Sequence, residues 1–546
     1  MKRITPPILL IAAVTVMSLP NIALSVTEPM SWMARVCNVM LPVPAYLLLM
    51  TLMRNTGRMV WAAFSLIFLA AFQLVLLYLF GGSIIAVDMF LNLLTTNTGE
   101  VSELLGSLIP AVAMVAVIYL PVLCCAARGA FIKSYRLTPR FVAGARRWGV
   151  AALALGLASL AACYAFERDY RATDDLYPVN VCYNIGLAVD RTCRTARYAE
   201  TSAGFIYDSR ATHPDTCRRE VYVLVIGETA RAANFGLYGY SRNTTPLLSS
   251  TEGIIPYPKA YTQSNTTHKS VPMLMSAATA EDYNRIYREK GIITAFKEAG
   301  FNTTFISNQR PNRSFIDLFG KEAHSWDFLK EELPDSANLL DSDMYAPVKE
   351  ILDNGGRREF IVLHTYGSHF RYRERYPREF ASFLPDEPSD AIPENRSSLL
   401  NAYDNTILYT DSFLHSIITD LAATGANAGL IYVSDHGENI FDDSHGLFLH
   451  ASPRPSAYEL HVPLIVWLSK GYRDTYPETY SQLQRHTGSR VITSASVFHT
   501  MLDIAGIRTR ILSDSLSLAS PLYRTGPYNY LSDRNIPVPA SEIVRK

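Results

Sequence analysis

Five long stretches in the first third of the chain carry no charged residue. They are Ile4–Thr27, Val36–Met53, Met59–Val87, Leu104–Ala127 and Trp148–Phe166. Each reaches or passes the roughly 18–20 apolar residues that cross a bilayer. A buried globular helix is seldom charge-free for so long, so five in succession specify five membrane-crossing helices. The charges between them set the direction. Lys2 and Arg3 precede the first stretch, Arg54 and Arg58 separate the second from the third, and Arg128, Lys133, Arg136, Arg140, Arg146 and Arg147 crowd the loop before the fifth. The alternate loops hold Glu28 with Arg35, then Asp88, Glu100 and Glu103. Positive loops stay cytoplasmic. The N-terminus is therefore expected inside, with everything after Phe166 outside. A Lys-Arg start before an apolar run also fits a cleaved signal peptide. That reading leaves the later spans on the same sides, and the four spans that follow favour an uncleaved first helix.

The rest of the chain reads as water-soluble. Residues 167–218 are polar with scattered aromatics, and fit either an interfacial helix or a solvated linker. Residues 219–546 form the second domain, after the membrane domain 1–166 and this bridging segment. Lys+Arg and Asp+Glu both number 50, so there is no basic excess of the kind nucleic-acid binding needs. Of seven cysteines, Cys37, Cys124, Cys125 and Cys163 lie in or beside the spans and read as packing residues. Cys182, Cys193 and Cys217 lie outside, where disulfides form. Cys182 with Cys193 is the most local pairing, and the odd count leaves the connectivity open.

From Glu220 onward short apolar runs alternate with helical patterns. Val221–Ile226, Thr303–Ile306, Phe360–Leu363, Leu430–Val433 and Pro463–Leu468 read as strands; Gly291–Ala299, Leu399–Ala423 and Ala495–Ala505 read as helices. That alternation predicts an α/β domain with a largely parallel central sheet covered on both faces. Ligands of such sheets gather beyond the C-terminal strand ends. Three of these strands end in residues suited to chemistry: Gly227-Glu228-Thr229, His364-Thr365-Tyr366-Gly367-Ser368-His369, and Ser434-Asp435-His436-Gly437. Carboxylate oxygen and imidazole nitrogen are ordinary zinc ligands. Taken singly, an Asp-His-Gly turn caps a helix, a lone Glu after a strand is solvated, and His364 packs under the sheet. Their shared position at strand ends favours one site.

The segment from Val223 through Gly227-Glu228-Thr229-Ala-Arg231-Ala-Ala-Asn234 to Pro246 resembles the first catalytic motif of the lipid A phosphoethanolamine transferases, within the alkaline phosphatase and sulfatase superfamily. Ser270-Val-Pro272, Leu363-His364 through His369 to Tyr376-Pro377, Tyr403-Asp-Asn405 and Ser434-Asp-His-Gly-Glu438 match in the same order. The likeness runs from about 220 to 470, and the five-span start is similar too. It implies an enzyme of the bacterial inner membrane with a periplasmic catalytic domain. It implies a threonine nucleophile three residues before the Ser-Val-Pro turn, which is Thr267, with Thr266 as rival. It implies zinc held by Glu228, Asp435, His436 and Thr267. His369 and His450 would face them, holding the phosphate or a second zinc. His445 competes with His450, because this chain has two more residues between Asp435 and that histidine than the pattern. His364 takes a supporting role, and Asn308 a substrate contact. A helix beginning near Ser270 would point N–H groups at a phosphoryl oxygen.

The implied reaction moves phosphoethanolamine from phosphatidylethanolamine to lipid A, or to the lipopolysaccharide core, through a phosphoethanolamine-threonine intermediate. Diacylglycerol leaves, and the protein acts as a monomer. The resemblance has departures. The lipid A enzymes bridge cysteines around the nucleophile loop, whereas Ser264, Asn265 and Met273 stand here, so packing must hold the loop. Ser307-Asn308-Gln309 and Arg371-Tyr372-Arg373-Glu374-Arg375 look closer to the branch that modifies core sugars. Three rivals remain. The first is a hydrolase of the same superfamily, a phosphatase or a sulfatase; a sulfatase needs C/S-x-P-x-R, but Met273-Leu274 follows Ser270-Val-Pro272. A glycerol-phosphate polymerase also has five spans and a threonine, but Gly-Glu-Thr and Leu-His-Thr favour the ethanolamine branch. A scaffold or transporter usually places ionisable groups within its spans, and these have almost none.

Overall fold

The computed structural model describes residues 4–80, 85–95, 98–214, 218–334, 337–387, 391–442, 446–452 and 455–542. Two compact units divide the chain: residues 1–91 with 104–189, and residues 92–103 with 190–546.

In the first unit, four helices among the described residues are long and apolar enough to cross a membrane: Pro6–Thr27, Trp32–Met50, Ile109–Phe131 and Pro139–Phe166. Thr56–Ala62 and Phe64–Tyr78 meet at 64° and make a fifth span if taken together. The third stretch is thus bent at Ala63 rather than straight, and Val87 begins a separate helix, Val87–Thr95. The last helix starts at Pro139, well before Trp148, because Thr138 caps it and its basic first turns continue the same helix. There the Arg146 guanidinium donates to the Thr51 carbonyl at 2.7 Å. Small residues let these helices approach. A Cβ on Gly156 would lie 2.6 Å from the Met40 carbonyl oxygen. Inside the unit, the Asn21 amide donates to the Tyr177 carbonyl at 2.8 Å and to Asn38 Oδ1 at 3.2 Å. Polar groups in an apolar setting need such partners. Cys37 and Cys163 are buried, as packing residues should be, whereas Cys124 is exposed.

Cys182 and Cys193 are free thiols on one helix, Val179–Ala196. At a rise of about 1.5 Å per residue they are too far apart to bridge. The most local pairing therefore fails on helical geometry, and Cys217 lies outside the described residues.

The second unit is built on a seven-stranded sheet. Its spatial order is Ile254–Pro256, Leu464–Leu468, Asn427–Ser434, Glu220–Gly227, Arg358–His364, Asn302–Ser307 and Ser325–Phe328. The last five run parallel, while Leu464–Leu468 runs antiparallel to both neighbours. A parallel return needs a long crossover, usually helical. Between Ser434 and Leu464 the described residues make two short strands, Asn439–Ile440 and Phe448–Leu449, and no helix longer than the one turn Ala457–Leu460. Every residue of Glu220–Gly227 is buried, as expected for a central strand with helices on both faces. The helices foreseen at 291–299, 399–423 and 495–505 are Ile292–Glu298, Arg396–Ala423 and Thr493–Ile504. The sheet register brings these strand ends level. Ile226 pairs with His364, Gly227 with Ser434, and Ser307 with His364. Glu228, Thr365, Asp435 and Asn308 therefore leave the sheet along one edge.

Candidate metal and nucleophile site

Glu228 opens the site. Its successor Thr229 has φ +63°, a left-handed conformation that costs a β-branched residue about 1–3 kcal/mol. Hydrogen bonds hold it there. The Thr229 N–H donates to Asp435 Oδ1 at 3.1 Å, and the Tyr403 hydroxyl donates to the Thr229 carbonyl at 2.8 Å. The strained turn aims the Glu228 carboxylate back over the strand ends.

Thr267 is the first residue of the helix Thr267–Leu274, so that helix begins three residues earlier than the sequence suggested. Its Oγ1 lies 3.0 Å from His436 Nε2 and 3.2 and 3.3 Å from the two oxygens of Glu228. The neighbouring Thr266 hydroxyl instead meets Ser264 Oγ at 3.1 Å. His436 Nε2 is also 3.4 Å from Glu228 Oε1 and 3.3 Å from Asp435 Oδ2. The ring is oriented from behind. Its Nδ1–H donates to the Gly437 carbonyl at 2.9 Å, which leaves the unprotonated Nε2 facing the acids.

Burial pushes His436 down to about 3, so the ring is neutral. Burial, and then the charge of Glu228, pushes Asp435 well above the usual carboxylate range. Burial also works against the charge of Glu228, but the neighbouring histidines and the Thr229 hydroxyl, which donates to Oε1 at 2.7 Å, outweigh it and lower its pKa. Two carboxylates this close and this buried cannot both ionise cheaply without a cation. A divalent metal would supply that cation. The donors fit zinc: ligand atoms of Glu228, His436 and His450 all lie within 4.8 Å of one another, and acids with imidazole are its usual set.

His450 stands beside this cluster, its ring centroid 4.2 Å from that of His436 and 6.3 Å from that of His369. Its Nδ1 is 3.2 Å from Glu438 Oε1, and the Tyr372 hydroxyl donates to Glu438 Oε2 at 2.6 Å. His369 is oriented through Nδ1, 2.6 Å from the Phe370 carbonyl. The structure therefore brings Thr267, Glu228, Asp435, His436, His369 and His450 together, while His445 lies outside the described residues. His364 is buried behind the edge with Nδ1 at 3.1 Å from Ser307 Oγ, and burial pushes it down to about 4. Asn308 is buried and donates to Asp341 Oδ1 at 2.8 Å. It is thus a scaffold residue; its neighbour Gln309 reaches the site instead, donating to the Thr365 carbonyl at 2.7 Å and to Glu228 Oε2 at 3.4 Å.

Tyr372 and Glu438 lay within motifs, but only the fold pairs them behind His450. Replacing Tyr372 with phenylalanine removes the donor to Glu438. Turnover is expected to fall about 10–100-fold, as for other partners that orient a working histidine. Steady-state kinetics checks this, with metal content measured in parallel and expected to stay unchanged.

Residues 220–507 match the sulfatase family. The chain belongs to that family. Phosphoethanolamine transferase EptC of Escherichia coli is 27% identical over 314 residues, which cover 55% of this chain and 53% of that protein. The chain thus spans about half the length of this relative. Phosphoethanolamine transferase EptA of Salmonella typhimurium is 27% identical over 488 residues, 86% of each chain. Among solved structures, the membrane-integral lipooligosaccharide phosphoethanolamine transferase A of Neisseria meningitidis superposes with a TM-score of 0.72 at 24% identity, covering 94% of this chain and 97% of that one. It has the same fold, apolar N-terminal helices followed by a sulfatase-like α/β domain. The periplasmic domain of E. coli EptC, solved in complex with zinc, superposes at TM-score 0.57 and 22% identity over 62% of this chain and 96% of that one.

Proposed function

We propose that this protein transfers phosphoethanolamine from phosphatidylethanolamine to lipid A or to the core sugars of lipopolysaccharide. The observation that carries the reading is the Thr267 hydroxyl, poised 3.0 Å from His436 Nε2 and 3.2 Å from Glu228 at the edge of a sulfatase-type sheet. The similarity to EptA and EptC supports the transferred group. Domain boundaries near residues 166 and 218, an inner-membrane location and a periplasmic second unit complete the proposal, with loop charge as support for the orientation.

Glu228, Asp435, His436 and Thr267 would hold zinc. When bound, zinc lowers the pKa of the threonine hydroxyl and neutralises charge on phosphoryl oxygens. In the first step Thr267 Oγ1, deprotonated before the attack and released in that form by the second step, bonds to phosphorus, the bond to the glycerol oxygen breaks, and diacylglycerol leaves. Its oxygen takes a proton, for which His450, backed by Glu438, is the assigned donor. His369 hydrogen-bonds the phosphoryl oxygens from the same side. In the second step an acceptor oxygen attacks phosphorus, the bond to Thr267 breaks, and the acceptor's proton is taken up by the basic side chain left from the first step. Both donor and acceptor are lipids, which accounts for the apolar helices ahead of the soluble unit.

Mass spectrometry of lipid A and core sugars from cells with and without the protein tests the function. One added phosphoethanolamine on either part is expected, and no difference contradicts the proposal. Metal analysis tests the site. The purified protein is expected to carry zinc, and Asp435→Asn to lose most of it. Because burial and the charge of Glu228 raise the affinity of Asp435 for a proton, zinc must compete with protons there. Zinc affinity is therefore expected to weaken as pH is lowered, as titration of the apoprotein at two pH values would record.

A further inference from the structure

The loop that leads into Thr267 has no regular secondary structure from Thr262 to Thr266 and no cysteine between 262 and 274. A nucleophile displaced by about 1 Å loses about 10²-fold in rate, so something must fix it. A hairpin far along the chain does so. Its strands Asn529–Leu531 and Pro537–Pro539 pair antiparallel. The Leu531 N–H donates to the Gln263 carbonyl at 2.7 Å, and the Gln263 amide returns a bond to the Asn529 carbonyl at 3.0 Å. The Tyr528 hydroxyl donates to the Thr262 carbonyl at 2.9 Å, and the Tyr530 hydroxyl to Asn265 Oδ1 at 2.8 Å. On the far side of the nucleophile, the Lys269 ammonium donates to the carbonyls of Ser532 and Asp533 at 3.0 and 3.3 Å. Lys269 is only 2% exposed and Tyr530 4%. Burying an ammonium is costly unless it is bonded, and these two carbonyls lie in the hairpin turn. The Arg191 guanidinium donates to the Asp533 carbonyl from outside at 2.7 Å.

Asn265 extends the clamp across the site. Its side-chain amide donates to the Ser452 carbonyl at 2.8 Å and to Glu459 Oε1 at 2.7 Å, and its backbone carbonyl accepts from the Ala451 N–H at 3.2 Å. Ala451 follows His450. One buried asparagine thus joins the nucleophile loop, the segment after His450 and the hairpin.

We propose that the 529–539 hairpin, acting through Tyr530–Asn265 and Lys269, is the positioning element that sets Thr267 against the site; the proposal rests on the functional reading above. Tyr530, Asn265 and Lys269 are positioning residues, since none touches the reacting atoms. The full-length protein in detergent provides the test. Tyr530→Phe and Lys269→Met are expected to speed amide exchange across 262–269 by about tenfold or more, as loss of local protection does. They are expected to lower kcat by about 10–100-fold, with KM and zinc content unchanged. Lys269→Arg, which keeps the buried cation, is expected to restore most of kcat. If Tyr530→Phe does not fold, Tyr528→Phe reads the same clamp from a half-buried position. Unchanged exchange in the variants overturns the clamp, as does faster exchange with full kcat, or a loss confined to KM. A wild-type protein that forms no adduct on Thr267 overturns the functional reading instead, and the exchange comparison then decides the clamp alone.

Discussion

Thr267→Ala is expected to lower transfer by at least about four orders of magnitude, the scale seen when a covalent nucleophile is removed. The other hydroxyls near the site, Thr229 at 2.7 Å from Glu228 Oε1 and Ser270 at 3.4 Å from Asp435 Oδ2, are fully buried. Thr266 is the nearest hydroxyl in sequence, but it is 4% exposed and turned to Ser264. Ser270 lies one helical turn on, and its hydroxyl donates to the Thr266 carbonyl at 2.9 Å. Glu228, Asp435 and His436 keep their own supports in this variant, so zinc should remain bound, though less tightly. Loss of transfer with zinc retained separates a missing nucleophile from a collapsed site. Full transfer in the alanine variant would remove Thr267 from the mechanism.

The second large effect concerns stability. Arg231 is 3% exposed, and its guanidinium meets Asp442 Oδ2 at 2.6 Å, Asn234 Oδ1 at 2.5 Å and the Glu438 carbonyl at 3.1 Å. It also lies over the rings of Tyr403 and Tyr458, 5.3 and 5.0 Å from their centroids. Arg231→Met keeps the stem but strands a buried carboxylate. Breaking such a pair from one side costs about 3–5 kcal/mol. Arg396, 3.1 Å from Asp442 Oδ1, offsets part of this, so the lower end is expected. Melting of the soluble unit should shift down by several degrees. Arg231 also braces the segment that carries Glu438, so activity should fall even below the melting transition. An unchanged melting curve would mean that Asp442 finds another partner.

These two residues mark where sequence reasoning reaches and where it stops. The central strands were legible because parallel strands buried on both faces are continuous apolar runs. Val221–Ile226 announces itself, and its strand end carries Glu228. Thr267 was reachable by counting back from Ser270-Val-Pro272. Arg231 stood within a quoted motif, but its partner Asp442 is 211 residues away, a separation at which local pattern is silent. Asp341, which accepts from Asn308 and from the Tyr366 N–H at 3.0 Å, is hidden for the same reason. The Asn529–Leu531 and Pro537–Pro539 hairpin has three-residue strands with proline at both ends of one, too short and too irregular for an alternation signal. The bend at Ala63 escaped because hydropathy measures apolar length and not direction. The late start placed on the last apolar helix followed the beginning of the charge-free run at Trp148, whereas the cap at Thr138 decides where the helix begins.

The proposed mechanism requires Thr267 to carry the phosphoethanolamine group between donor and acceptor. Its most direct test is peptide mass spectrometry on the full-length protein incubated with phosphatidylethanolamine and no acceptor. The peptide containing Thr267 is expected to gain the mass of one phosphoethanolamine, with fragmentation placing it on Thr267 and release following addition of lipopolysaccharide. An adduct on Thr266, or diacylglycerol released with no adduct on either threonine, would contradict the account.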